Sequence, residues 1–178
     1  MESILTRREM AVMHNVFDRD LKKAWENEAY VDVSWLCYAT IEQRVARMLQ
    51  KHLSGCPVHS KRKGVPASIN TRIKCVKHLI RAQYGGFALL DVKVFDRLLT
   101  WIDKRNKLTH GLVSLDHYCW YKDEFQVLAK QGYALIKPLY KQTKILRDWE
   151  HKNPDFEQPF PFKCDLKNQC VKAIEEEE

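Results

Sequence analysis

The feature that most restricts this chain is the spacing of its apolar residues. Nearly everywhere they recur every three or four positions, and alternating strand patterns are almost absent. Met10, Met13, Val16, Phe17, Leu21 and Trp25 set the interval for a first helix, from about Thr6 to Glu28. A second begins near Ser34, read as an N-cap, and runs to about Leu53. Gly55, Pro57, Gly64 and Pro66 then bracket a loop holding His59, Lys61, Arg62 and Lys63. A third helix, Ser68 to Gln83, stops at Gly85-Gly86. A fourth runs from Asp91 to Gly111, a residue suited to a helix C-terminus. A fifth spans about Asp116 to Glu150, with a bend expected at Pro138. The expectation is an all-α, compact bundle of about five helices. It covers residues 1–155 and is followed by a C-terminal extension, 156–178. There Pro159-Phe160-Pro161-Phe162 is irregular and Glu175–Glu178 form an acidic tail.

At 178 residues the chain has enough length for one core. No apolar run reaches the roughly 18–20 residues of a membrane span. Arg7, Arg8 and Glu9 stand where a signal peptide would need apolar residues, so a cytoplasmic location is expected. The six cysteines are scattered without a CxxC pair, and Cys56 with His59 lacks a second pair to complete a zinc site. Buried or surface thiols are expected, with no metal and no cofactor. A net charge of +7, carried despite the four terminal glutamates, attracts polyanions, of which nucleic acid is the commonest large one in the cytoplasm.

Helix geometry singles out one segment. With Leu98 at zero and about 100° per residue, Val94, Phe95 and Ile102 fall within about 60° and form a core stripe. Lys93, Asp96, Thr100, Asp103, Lys104 and Lys107 gather on the opposite side. Arg105 does not join them. It lies about 20° from Leu98, inside the stripe, with Asn106 near 80° and His110 near 120°. A guanidinium, an amide and an imidazole on the flank of a core helix need partners, or a cleft where a ligand supplies them. The second helix repeats the anomaly. Glu42 sits among Trp35, Tyr38, Val45, Leu49 and Leu53, while Thr40, Gln43, Arg44, Arg47 and Lys51 take the other side. A carboxylate on a core face demands a cation or several donors, and the expectation is that Glu42 pairs with Arg105.

Arg105-Asn106-x3-His110, followed at once by Gly111, resembles the R-x4-6-H signature of the HEPN superfamily (higher eukaryotes and prokaryotes nucleotide-binding). The resemblance spans about Thr6 to Glu150, with its specificity in the motif helix. It implies an all-α, metal-independent endoribonuclease of toxin–antitoxin or phage-defence type, acting as a homodimer whose two motifs line one cleft. A nucleotidyltransferase-like antitoxin protein is an implied partner. His110 would act as general base or acid, and Arg105 would grip the phosphate. Asn106 would orient His110 or donate to a phosphate oxygen. Glu42 and Thr109 are supporting residues. On one regular helix Arg105 and His110 lie about 140° apart, so they converge only if the helix unwinds at Thr109-His110-Gly111, or across a two-fold axis. Lys61, Arg62 and Lys63 are further RNA-binding candidates, as are Tyr118 and Trp120 for base stacking. His117 is a second candidate base. The alternatives are a non-catalytic HEPN-like module that binds nucleotide, RNA or protein, and an unrelated helical adaptor.

Overall fold

A computed structural model describes residues 7–50, 52, 68–112, 118–157 and 161, with side chains placed for 16–50, 52, 68–111, 122–157 and 161. Among these residues there is no strand. The architecture is an all-α bundle of five helices, α1 (Arg7–Glu26), α2 (Tyr30–Gln50), α3 (Ile69–Arg81), α4 (Val92–Leu112) and α5 (Tyr118–Lys152), with a short 3₁₀ turn at Gly85–Leu89. The α2–α5 pair is the most extensive packing in the bundle. α1 and α3 lie against α2, and α4 bridges α3 and α5. Fully buried Ile41, Leu49, Ile73, Leu79, Phe87, Phe95, Leu98, Phe125 and Leu139 fill the space between them. Among the described residues no helix is long and apolar enough to cross a membrane.

Helix ends here are set by backbone geometry more than by glycine. α1 closes with Glu28 in the left-handed region (φ 54°), the Ala29 amide donating to the Ala24 carbonyl and the Glu28 amide to that of Trp25. This is a Schellman arrangement. It turns the chain within three residues, so α2 starts at Tyr30, four residues before the expected Ser34. Ser34 is consequently no cap. It is buried inside the helix, and its hydroxyl donates to the Val31 carbonyl at 2.7 Å. The same closure ends α3, with Gln83 at φ 52° and Tyr84 donating to the Leu79 carbonyl. The expected cap at Ser68 is present, its hydroxyl accepting from the Thr71 amide at 3.1 Å.

Gly85-Gly86, expected to stop the third helix, serve a different purpose. A Cβ on Gly86 would stand 2.7 Å from the Trp149 indole, and one on Gly85 2.7 Å from the Phe156 ring. The pair lets the end of α5 close down on the 3₁₀ turn, where Phe156 packs edge-on against Trp149 and Tyr84. Phe156, placed by its sequence at the head of the extension, thus packs against the core.

α4 meets α5 in a similar way. Trp101, 2% exposed, donates its indole N–H to the Leu128 carbonyl at 2.8 Å and lies over Gly132, where a Cβ would fall 2.6 Å from the ring. Gly132→Ala is therefore expected to destabilise the fold by about 1–3 kcal/mol, the range for overpacking a filled site. Urea denaturation of the two proteins checks this, and an unchanged midpoint would mean that Trp101 can move aside freely.

A buried thiol and a half-buried phenol give the fold an alkaline limit. Burial pushes the Cys37 thiol from 9.0 up to about 12. Burial, joined by its hydrogen bond to Asp18, pushes the Tyr140 hydroxyl from 10.0 up to about 12. Both folded-state values exceed the unfolded ones, so the contribution is complete below about pH 9 and is lost as pH rises towards 12. The urea midpoint is expected to fall across that window, and to fall less steeply in Cys37→Ala.

Candidate functional site

The core stripe expected on α4 is present. Val94, Phe95, Leu98 and Ile102 are at most 3% exposed, and Lys93, Asp96, Thr100, Asp103, Lys104 and Lys107 face solvent. Arg105 follows the stripe inward and is 7% exposed. Its guanidinium carbon lies 3.9 Å from the centroid of the Trp35 ring and 4.5 Å from that of Tyr38. These two residues stand one turn apart on α2 and present aromatic faces to the cation. Nη1 donates to the neighbouring Asn106 Oδ1 at 3.3 Å. Nε and Nη2 are closed off from solvent and have no hydrogen-bond partner. Burial pulls the pKa of Arg105 down from its ordinary value, while the nearby Tyr38 acts in the opposite direction.

Glu42 is not the partner of Arg105. Its carboxylate accepts from Arg72 Nη1 of α3 at 3.4 Å, because α3 packs on the same flank of α2 and brings its own cation. Arg105 is held by ring faces in place of a counter-ion. Glu42 still contributes at the edge of this cluster, since its charge adds to burial in raising the Tyr38 hydroxyl, against the opposing pull of Arg105 and Arg72.

The other motif residues separate along the helix. Asn106 turns its amide oxygen to Arg105 and not to His110. The Thr109 hydroxyl donates back to the Arg105 carbonyl at 2.8 Å, which keeps this turn wound. α4 stays helical through Thr109, His110 and Gly111 to Leu112, so the expected unwinding does not occur. His110 is exposed, about 7.5 Å further along the axis and about 140° around it from Arg105. One chain therefore presents the two groups on different aspects of the same helix end.

Comparisons with family models, with curated proteins and with solved structures find no match for this chain.

Lys61, Arg62, Lys63 and His117 lie outside the described residues. Tyr118 and Trp120 open α5, with side chains outside the described set. Among the described residues no group of three or more His, Cys, Asp and Glu side chains is arranged to hold a metal ion. The last turns of α4 also line a groove of about 560 Å³ against α5, where Lys104, Lys107, Leu108 and the exposed Val127 meet Asp123 and Glu124. Its balanced charges distinguish it from a polyanion cleft.

Trp35 and Tyr38 are the residues that sequence reasoning passed over. Their signal was available: two rings at i and i+3 on the flank that also carries Glu42, opposite a helix bearing a stray arginine. Trp35 remains 48% exposed and forms the outer wall of the arginine's compartment.

Proposed function

We propose that this protein is a HEPN-type, metal-independent endoribonuclease that cleaves RNA by attack of the RNA's own 2′-OH. It acts as a homodimer in a toxin–antitoxin or phage-defence system of the cytoplasm, held in check by a nucleotidyltransferase-like antitoxin protein. The observation that carries this reading is Arg105, a buried guanidinium whose Nε and Nη2 lack partners, about one and a half turns before an exposed histidine. Such donors are expensive to leave unmade, and a phosphate oxygen is a fitting acceptor for a guanidinium fork. The net charge of +7 draws a polyanion to the surface.

In the proposed reaction RNA displaces the half-exposed Trp35 ring and a phosphate takes its place against Nε and Nη2. His110 of the second subunit removes the 2′-OH proton, and the 2′ oxygen attacks phosphorus. The P–O5′ bond breaks, the 5′ oxygen takes a proton, and a 2′,3′-cyclic phosphate remains. Arg105 neutralises the charge that builds on the phosphorane, and Asn106 fixes the guanidinium plane.

The test is incubation of single-stranded RNA with the protein in EDTA. The expected products end in a 2′,3′-cyclic phosphate, and a 2′-deoxy substitution at the cut nucleotide stops the reaction. RNA that binds near Arg105 and stays intact would favour the non-catalytic phosphate-binding alternative.

A further inference from the structure

The groove where the last turns of α4 meet the first turns of α5 carries opposite charges on its two walls. Lys104 and Lys107 of α4 line one wall, Asp123 and Glu124 of α5 line the other, and all four are exposed. The cleft of about 560 Å³ stands between them, and among the described residues none of the four forms an ion pair.

The floor between the walls is apolar. Leu108 and Leu128 lie in it, and Val127, 54% exposed, stands out of it. It is also fixed in place, since the Leu128 carbonyl accepts the Trp101 indole N–H and Gly132 lets that ring press against α5. An apolar centre with a charged rim is the anatomy of a protein–protein interface.

The order of the charges indicates what covers it. A surface with cations on one side of a line and carboxylates on the other is complementary to itself under a two-fold rotation about that line. A helix of another protein would have to reproduce both rows, whereas a second copy carries them already.

We infer that this groove is the seat of a second copy of the chain, docked about a two-fold axis that runs along it, so that Lys104 and Lys107 of each copy meet Asp123 and Glu124 of the other. Leu108 and Val127 of the two copies close over the axis. The inference rests on the homodimer of the proposed function and names the face through which it forms. An axis along the groove leaves both α4 C-termini at the same end of the dimer, as a site shared between Arg105 of one copy and His110 of the other requires.

Sedimentation velocity of the full-length protein at micromolar concentration tests the face. The wild type is expected to run as a dimer. Lys104→Glu/Lys107→Glu makes both walls acidic, and Asp123→Lys/Glu124→Lys makes both basic. Each is expected to raise the dimer Kd at least about a hundredfold, because every reversal acts twice across the axis and like charges face to face repel. The replaced side chains are exposed, and an unchanged Tm verifies each fold. Mixed in equal amounts, the two variants are expected to recover a dimer, with an acidic groove facing a basic one. Lys93→Glu/Arg97→Glu makes the same change in net charge outside the groove and is expected to stay dimeric. A monomeric wild type overturns the inference together with the two-subunit reading and leaves the groove to a different partner. A wild-type dimer that survives both reversals overturns the inference alone. A dimer that both reversals break, in a protein that cuts no RNA, upholds the inference while the ribonuclease reading fails.

Discussion

Replacing His110 by alanine is expected to abolish RNA cleavage in EDTA, by about 10²–10⁴-fold, the usual contribution of a positioned acid or base. It should leave Tm unchanged. The two halves of this expectation rest on different observations. The imidazole is exposed at the end of α4, so its removal takes little from the core. Its chemistry is needed in the proposed reaction because the 2′-OH must lose a proton, which an imidazole nitrogen can accept. Loss of cleavage together with loss of folding would instead give His110 a structural role.

A mixing experiment sharpens the result. Arg105 and His110 lie on different aspects of one intact helix end, so the proposed site draws the two groups from two chains. Arg105→Ala and His110→Ala, each inactive alone, are then expected to recover about a quarter of wild-type activity when dissociated and reassembled together. Half of the dimers become mixed, and each mixed dimer holds one intact composite site in two. No recovery from two properly folded, dimeric variants would place both groups in the same chain and remove the two-subunit site.

The course of α4 could be read almost completely from its sequence, because one side of this helix meets the core and the other meets water. Periodicity identifies such a division directly, and it also exposed Arg105 as the residue out of place. α2 was less legible for the opposite reason. It contacts α1, α3 and α5, so its buried arc is wide, and Thr40, expected on the solvent side, is 1% exposed. Periodicity likewise ranks faces without saying which helix each face will meet. Glu42 and Arg105 were both recognisable as misplaced charges, yet Arg72 of α3 reaches the carboxylate and two rings of α2 take the guanidinium. The helix ends expected at Glu28 and Gln83 fall within two residues of those observed, but the way each helix closes was illegible, because a left-handed residue at a helix end is usually glycine, and here neither is.

Arg105→Met is expected to reduce RNA cleavage by about 10²–10³-fold, the effect of removing one donor from a site of developing negative charge. The same variant should unfold at a higher temperature than the wild type. The stability side follows from the compartment itself. Methionine keeps the contact with Trp35 and Tyr38, and a thioether is favourable against aromatic rings by about 0.3–1.5 kcal/mol. It removes two buried nitrogens, Nε and Nη2, whose N–H groups lack partners and cost about 1–3 kcal/mol each. It also gives up two cation–π contacts, worth together about 1–4 kcal/mol, and the 3.3 Å hydrogen bond from Nη1 to Asn106, worth about 1.5 kcal/mol. The balance is a gain of about 1 kcal/mol, or roughly 2–4 °C in Tm for a chain of this size. A side chain held only for packing would give the reverse, a lower Tm with cleavage intact. Loss of activity combined with added stability is the signature of a group retained for its ligand, since under the proposed reading a phosphate would supply the acceptors that Nε and Nη2 lack in the free protein.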